Sequence, residues 1–255
     1  MRYAGHVREQ VDQGNVGIAT AQNRLSSVNR TMAALRGDQY VKIPSPSKAL
    51  GLQRSGVRSE APQGQDRVQI EQIAQALSEH GQQRVSAIVY LARETGMRLR
   101  EVILADLPRL QREARQLGKI NIQDGTKGGR SGASAPRWIA VTDQVRDALY
   151  RASEASPNGS RNLLTPDESY KVFLRAVVRP ARDILHEHGL KGFHELRAAY
   201  ACERYEQLTG FSAPVNGGRG HREDRVLDRQ ARQQISHELG HNRIDVVSAY
   251  IGGRR

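Results

Sequence analysis

Apolar residues recur at three- and four-residue spacing through most of this chain, and only one short region alternates between apolar and polar residues. The first spacing is typical of helices that bury one face. It predicts helices over 20–35, within 67–105, and over 142–154, 167–188, 193–208 and 226–239. The alternation at 119–123 and 137–141 predicts a short β-hairpin. We therefore expect a mainly α fold with a small antiparallel hairpin, in the α+β class.

Breaks in this pattern indicate how the chain is divided. Residues 1–18 are polar and are predicted to be a loose start, while 56–66 combine polar side chains with proline and glycine. The second composition is typical of a linker. We expect a helical domain over 1–55, a linker over 56–66 and a larger domain over 67–255.

Two further segments interrupt the helical pattern. Pro180 lies inside the helix predicted over 167–188, and proline removes a backbone donor, so it is expected to kink or split that helix. The stretch 210–232 is rich in glycine and arginine, including Arg219 and Arg222. We predict a mobile basic loop there, followed by a helix from about residue 226.

The charge balance favours a polyanionic partner. Lys and Arg number 39 against 27 Asp and Glu, which gives a net charge of +12. Most of the cations are arginines, which bind phosphate with two parallel hydrogen bonds. Nucleic acid is therefore the favoured partner, and the alternative is a basic surface that only contacts solvent. With Cys202 alone, no intrachain disulfide forms.

No signal segment or long apolar run is visible in the sequence. A transmembrane helix needs about 20 mostly apolar residues in succession. We therefore expect no membrane association and a cytoplasmic location.

Four separated segments carry side chains that suit one small anion. Arg98 follows a glycine break and opens a predicted helix, whose first N–H groups also favour anions. Glu101, three residues later, would hold the guanidinium from the same face. Lys127 lies in the glycine-rich tip of the predicted hairpin.

The other two segments lie near the C-terminal end. His194 and Arg197 are three residues apart and would share one helix face. Gly240 is a predicted helix stop, so His241 would lie on a tight turn, and Tyr250 on the helix that follows. Taken singly, such residues are more often surface charges, helix caps or a half-buried tyrosine. Their order and spacing favour a shared site.

In that order the residues resemble the tyrosine recombinases, the phage-integrase family. The resemblance covers about 70–255, and His241 and Tyr250 are nine residues apart, as is usual in that family. The matching motifs are Thr95-Gly96-Met97-Arg98-x-x-Glu101, Lys127 between two strands, His194-x-x-Arg197, Leu239-Gly240-His241 and Tyr250. Two features depart from the family pattern: Arg197 and His241 are 44 residues apart, and only five residues follow Tyr250.

The resemblance implies a role for each residue. Arg98, Arg197 and His241 would donate hydrogen bonds to a phosphodiester, and Tyr250 would attack its phosphorus. His194 would be the base and Lys127 would protonate the departing 5′-oxygen. The product would be a 3′-phosphotyrosyl intermediate, with strand exchange through a Holliday junction and with no metal, ATP or other cofactor.

The resemblance also implies a domain arrangement and a partner. Residues 1–55 would be the core-binding domain and 67–255 the catalytic domain, together enclosing double-stranded DNA. The expected assembly is a tetramer on DNA and a monomer when free. The candidate DNA contacts are Arg24, Arg30, Arg219 and Arg222.

Three alternatives to this function remain open from the sequence. A type IB topoisomerase uses similar Arg, Lys, His and Tyr chemistry but relaxes supercoils without exchanging strands. A catalytically silent DNA-binding protein could retain the fold. A basic helical module that binds DNA or RNA could match the motifs by accident.

Overall fold

A computed structural model describes residues 2–40, 42–126 and 136–254 of the 255-residue chain. Most of them are helical, and two strands form one antiparallel sheet. The mainly helical fold with a small hairpin is thereby confirmed. The chain divides into two compact units, Met1–Gly56 and Val57–Arg255.

Among the described residues of the first unit, three helices surround a small core. They are α1 (Arg2–Asp12), α2 (Ile18–Arg36) and α3 (Pro46–Leu50). The prediction of a loose start over 1–18 was wrong, because Ala4 and Val7 give α1 a short apolar face that is buried. The buried core residues are Ala4, Val7, Ala21, Leu25 and Leu50.

The described part of the second unit begins with α4 (Arg67–Glu79), α5 (Gln83–Thr95), α6 (Leu99–Ile103) and α7 (Leu107–Leu117), and α8 (Asp143–Ala155) follows the sheet. Helices α4, α6 and α8 pack against α5. Every residue of α5 from Val85 to Arg93 is buried, so α5 is enclosed by its neighbours. The end of α5 is thereby held in place, and the first candidate arginine follows it.

The predicted hairpin is present as β1 (Lys119–Asn121) and β2 (Trp138–Ala140). The strands are antiparallel, with Ile120 opposite Ile139. Both of these side chains are buried, which explains the alternation of apolar residues in the sequence. The predicted tip with Lys127 lies outside the described residues.

The helix predicted over 167–188 is split near Pro180, as expected. It consists of α9 (Tyr170–Phe173), a π-helical turn over Leu174–Val178 and α10 (Arg182–Glu187). Pro180 has no N–H to donate, so the helical ladder cannot continue through it. The chain then forms α11 (Phe193–Thr209), which is buried along most of its length.

The stretch 210–232 is more structured than a basic loop. It contains a 3₁₀ turn over Pro214–Asn216, helix α12 (Gly220–Glu223) and the start of α13 (Arg225–Glu238). Its glycines allow close packing: a Cβ on Gly218 would lie 1.6 Å from the Ser212 carbonyl oxygen. The helix expected from about residue 226 is confirmed. A 3₁₀ turn over Ile244–Val247 and α14 (Ser248–Ile251) complete the fold.

The predicted linker is bonded to the second unit from Val57 onward. The Arg58 N–H donates to the Ser248 carbonyl at 2.9 Å, and the Gln63 N–H donates to the Glu195 carboxylate at 3.0 Å. The Arg58 guanidinium also pairs with Glu195. These contacts hold residues 58–63 against the second unit, although the composition of 56–66 is typical of a linker.

Gly96 ends α5, and its backbone lies so close to the ring of Tyr200 that a larger residue would not fit without movement. Its φ is +61°, and a Cβ there would lie 2.4 Å from Tyr200 Cδ1. Gly81 has a φ of +71° with nothing within 4 Å of a Cβ, so it is a matched control. We expect Gly81→Ala to lower the free energy of unfolding by about 1–2 kcal/mol, because only the backbone is strained.

Gly96→Ala should cost roughly 1–3 kcal/mol more, because the methyl group overlaps a buried ring. Urea unfolding of the two variants measures the difference. Equal losses would show that the Tyr200 ring moves aside freely.

Candidate functional site

The turn after α5 fixes Arg98 by a reciprocal bond with Glu101. Arg98 is the N-cap of α6, and its N–H donates to Glu101 Oε2 at 2.7 Å. Its guanidinium Nη1 donates to Glu101 Oε1 at 2.6 Å. Glu101 is fully buried, whereas the Arg98 side chain is 29% exposed. The expected pairing is therefore present, and it presents Arg98 at the edge of the site.

Arg137, which the sequence analysis did not single out, occupies the other side of Glu101. Its Nη1 donates to Glu101 Oε2 at 2.6 Å, and its Nε donates to the Glu238 carbonyl. The side chain is only 4% exposed. Arg137 lies just before β2, and its partners are 36 and 101 residues away, so no local spacing in the sequence marks it.

Arg197 lies almost fully buried on α11, with carbonyl oxygens as its main acceptors. Nη1 donates to the Gly96 carbonyl and Nη2 to the Leu239 carbonyl. It forms no ion pair with a carboxylate among the residues that the structure describes, since Glu101 is engaged by Arg98 and Arg137. Burial, together with the charge of Arg137, lowers the pKa of Arg197 to about 10.

His241 lies on the turn between α13 and the following 3₁₀ turn. Gly240 and Asn242 both have positive φ, +65° and +54°, so the chain reverses tightly around the histidine. The predicted helix stop at Gly240 is confirmed. Burial, followed by the charge of Arg197, lowers the pKa of His241 to about 4. The imidazole is therefore neutral at pH 7.

Tyr250 points its hydroxyl at these two residues of its own chain. The Tyr250 oxygen lies 2.9 Å from His241 Nε2 and 3.3 Å from Arg197 Nε. The ring is 5% exposed, and the Arg197 guanidinium carbon lies 5.4 Å from its centroid. A histidine, an arginine and a phenol thus meet at one point.

His194 lies in the first turn of α11, the helix that also carries Arg197, and its ring is close to that of Tyr250. Its ring centroid is 5.5 Å from that of Tyr250. Although the residue is largely exposed, the protein atoms around the ring and the charge of Arg197 lower its pKa. Its neighbour Glu195 instead binds the segment that contains Arg58.

A cavity of about 430 Å³ opens beside this cluster. Arg98, Arg137 and His241 line it, and Thr126 and Pro136 from the two arms of the hairpin close one side. The candidate Lys127 follows Thr126 directly but lies outside the described residues. The cavity therefore joins the arginine cluster to the base of the hairpin.

The candidate DNA-binding arginines lie elsewhere on the chain. Arg24 and Arg30 are exposed on α2 of the first unit. Arg219 and Arg222 are exposed near α12 and line a separate cavity of about 310 Å³. None of the four lines the cavity beside Arg98 and His241.

The charges of the cluster do not balance among the described residues. Arg98 and Arg137 both pair with Glu101, whereas Arg197 donates to backbone carbonyl groups. Three guanidinium groups thus share one carboxylate, which leaves an excess of two positive charges. Glu238 contributes its backbone carbonyl here, while its carboxylate pairs with Arg204 and accepts from Tyr200. An anion in the cavity would meet guanidinium groups that are already held in place.

A family model described as Integrase matches residues 56–203, more than half of the chain. The chain belongs to the phage-integrase family of tyrosine recombinases. The match includes Arg98 and Arg197 and ends before His241 and Tyr250. A comparison with curated proteins finds no match. Membership of the integrase family supports a general role in DNA integration or recombination, and it supports DNA binding.

Within the described ranges, no helix has both the length and the apolar character needed to cross a membrane. Over those same ranges, no group of three or more His, Cys, Asp or Glu side chains is placed to hold a metal ion.

The lowered pKa of His241 predicts a pH dependence of stability. An unfolded histidine takes up its proton near pH ~6.5, whereas the folded His241 does so only near pH 4. Its contribution is therefore complete above pH ~6.5 and is lost as the pH falls toward 4. We expect the free energy of unfolding to fall less over this window in His241→Gln than in the wild type.

Urea unfolding at several pH values between 7 and 4 measures this difference. The pKa of His194 is also lowered, so His194 likewise makes the free energy of unfolding fall as the pH falls. A smaller slope should therefore remain in the variant. Identical slopes for wild type and His241→Gln would contradict a half-buried imidazole that is neutral in the folded chain.

Proposed function

We propose that this integrase is a site-specific recombinase that cleaves and rejoins DNA through a 3′-phosphotyrosyl intermediate on Tyr250. One observation carries the proposal: the Tyr250 hydroxyl lies 2.9 Å from His241 and 3.3 Å from Arg197, within a buried cluster that has excess positive charge. The proposed nucleophile thus lies beside side chains that can donate hydrogen bonds to a phosphodiester, and all of them belong to one chain.

Phosphate binding is assigned to Arg98, Arg197 and His241. A phosphodiester carries one negative charge, and the pentavalent state reached by attack carries about one more. The surplus of two positive charges in the cluster suits that state better than the ground state, and such differential stabilisation lowers the barrier. Arg137 adds its positive charge to the cluster and is held there by its ion pair with Glu101.

The nucleophile is assigned to Tyr250 and the base to His194. A phenol has a pKa near ~10, so attack at neutral pH needs a proton acceptor or a strongly cationic site. Both histidines near the ring have lowered pKa values and are therefore neutral at pH 7, so His194 can accept the phenol proton while His241 donates its ring N–H. In the free chain His241 is hydrogen-bonded to the Tyr250 hydroxyl. When DNA binds, His241 releases this hydroxyl and binds a phosphate oxygen instead.

Cleavage and rejoining then use the same atoms in opposite directions. The Tyr250 oxygen bonds to phosphorus, the bond from phosphorus to the 5′-oxygen breaks, and Lys127 supplies the proton to that oxygen. In the return step a 5′-hydroxyl attacks the phosphotyrosine and the phenol leaves. When that hydroxyl belongs to another duplex, a Holliday junction forms.

DNA binding is assigned to both units. The first unit is proposed as the core-binding domain, with Arg24 and Arg30 on phosphates, and the second as the catalytic domain, with Arg219 and Arg222 as additional contacts. Exposed arginines of this kind give affinity and salt dependence with little sequence information. The proposed assembly is a tetramer on DNA.

A covalent-adduct assay tests the function directly. Duplexes that bind tightly are first selected from a random pool, and each is then nicked in turn at every position across the selected site. Loss of the short fragment traps the intermediate. We expect a protein–DNA adduct that resists denaturation with the wild type and none with Tyr250→Phe.

Four results would contradict the proposal. Failure to select any sequence would remove site specificity, and an adduct that persists in Tyr250→Phe would place the nucleophile elsewhere. Binding without an adduct at any nick would indicate a silent DNA-binding protein. Relaxation of supercoiled plasmid without strand exchange would instead favour the type IB topoisomerase.

The arginine assignments predict a separation of cleavage from binding. Arg98→Ala should keep its affinity for the selected duplex and lower the rate of adduct formation by about 100- to 1000-fold, the usual effect of losing one such donor. Arg67→Ala is the control, because Arg67 also pairs with a glutamate at 2.7 Å but is 45% exposed and does not line the cavity beside Arg98. Equal losses of affinity and rate in Arg98→Ala would reduce Arg98 to a phosphate anchor.

A further inference from the structure

A buried ion pair lies behind the helix that carries Tyr250. Asp228 and Arg232 are one turn apart on α13, and each side chain is 1% exposed. Arg232 Nε donates to Asp228 Oδ1 at 2.8 Å. Neither residue reaches the cavity, and the proposed chemistry uses neither.

A second nitrogen of Arg232 contacts α14. Nη1 donates to the Ser248 hydroxyl at 3.3 Å and to the Gly252 carbonyl at 3.2 Å. Ser248 is the first residue of α14, and Gly252 directly follows its last. One planar group therefore contacts both ends of the helix on which Tyr250 lies.

Helix α14 is too short to hold its own direction. It has four residues, and its last backbone bond runs from the Gly252 N–H to the Ser248 carbonyl at 3.2 Å. Isolated helices of this length are unstable, because nucleation costs more than one turn returns. The direction of the Tyr250 hydroxyl thus depends on contacts from other elements.

Asp228 extends the same network to the helix that carries Arg197. Its Oδ1 also accepts from the Tyr205 hydroxyl on α11 at 3.0 Å, and its Oδ2 accepts from Arg254 Nε at 2.7 Å. Burial alone would raise the pKa of Asp228, but hydrogen bonds from Arg232 and Tyr205 hold it below its usual value. The carboxylate is therefore ionised and links α11, α13 and the segment after α14.

The pair is costly if its only role is stability. Arg232 Nη2 is buried and has no hydrogen-bond partner in the described part of the chain. An unpaired buried donor destabilises the fold, and apolar residues often replace a buried ion pair without loss. A role in geometry accounts for a guanidinium at this position.

We propose that Arg232, held by Asp228, is a positioning residue that fixes both ends of α14 and so keeps the Tyr250 hydroxyl against His241 and Arg197. The inference rests on the proposed function and adds to it a residue that acts through the backbone around the nucleophile. It concerns the direction of attack, so it predicts slower chemistry with unchanged DNA affinity.

The variants separate geometry from stability. Arg232→Met leaves a buried carboxylate with fewer partners and is expected to be less stable. The double variant Asp228→Asn with Arg232→Met removes both charges, so it should recover stability while the contacts to α14 remain lost. The control is Asp147→Asn with Arg151→Met, an Asp–Arg pair at the same spacing on the exposed face of α8.

Two measurements are made on the full chain. Hydrogen exchange of residues 244–252 in the free protein reports the ordering of α14. The single-turnover rate of adduct formation, measured as a function of DNA concentration, separates rate at saturation from affinity. A duplex with a 5′-bridging sulfur, which needs no proton on its leaving group, distinguishes misplaced attack from lost protonation.

In the double variant we expect faster exchange over 244–252 and an adduct rate about 10- to 100-fold lower at saturation, the scale of a nucleophile misplaced by about 1 Å. The half-saturating DNA concentration should be unchanged, and the bridging sulfur should not restore the rate. The control pair should match the wild type in both measurements.

Wild-type exchange over 244–252, or a wild-type or higher rate in the double variant, would overturn the positioning role. Full rescue by the bridging sulfur would do so as well. If the wild type itself forms no adduct, the proposed function fails, and hydrogen exchange still decides whether Arg232 orders α14.

Discussion

The buried carboxylate of Glu101 is the contact on which the site depends. It accepts from the Arg98 backbone and guanidinium and from the Arg137 guanidinium, and it has no exposed surface. Like charges repel strongly where water is excluded, so three guanidinium groups would not converge without a counter-charge. Glu101 makes the cluster possible and yet leaves it with excess positive charge.

Backbone carbonyl groups hold the third arginine. The Gly96 carbonyl accepts from both Arg197 and Arg137, and the Leu239 carbonyl accepts from Arg197. Carbonyl groups satisfy the donors without cancelling the charge. The turn that ends α5 thus positions two arginines. Its backbone leads directly into Arg98, and the carbonyl oxygen of Gly96 accepts a hydrogen bond from Arg197. Tyr250 completes the cluster from α14 of the same chain.

The sequence could predict those contacts whose partners are close together along the chain. Arg98 and Glu101 lie three residues apart, and His241 and Tyr250 lie nine residues apart. Because these separations are short, the sequence spacing predicted that each pair would meet, and the structure has both contacts. The resemblance to the integrase family joined those pairs into one site.

Other features depend on partners far along the chain. Arg137 and Arg232 appear in the sequence as two arginines among many, and only tertiary structure gives them Glu101 and the ends of α14. Helix α1 was missed because it buries just two residues. The glycines of 210–232 were predicted to give mobility, whereas Gly218 permits a backbone contact that no side chain would allow.

The most direct test of the central claim is to locate the bond in the trapped adduct. Nuclease digestion leaves a short nucleotide on the protein, and trypsin cleaves after Arg243 and Arg254. We predict that mass spectrometry finds one nucleotide, joined through its 3′-phosphate, on Tyr250 within residues 244–254. A nucleotide on any other side chain, or a 5′-phosphate linkage, would contradict the claim that this buried arginine cluster directs Tyr250 to the phosphorus.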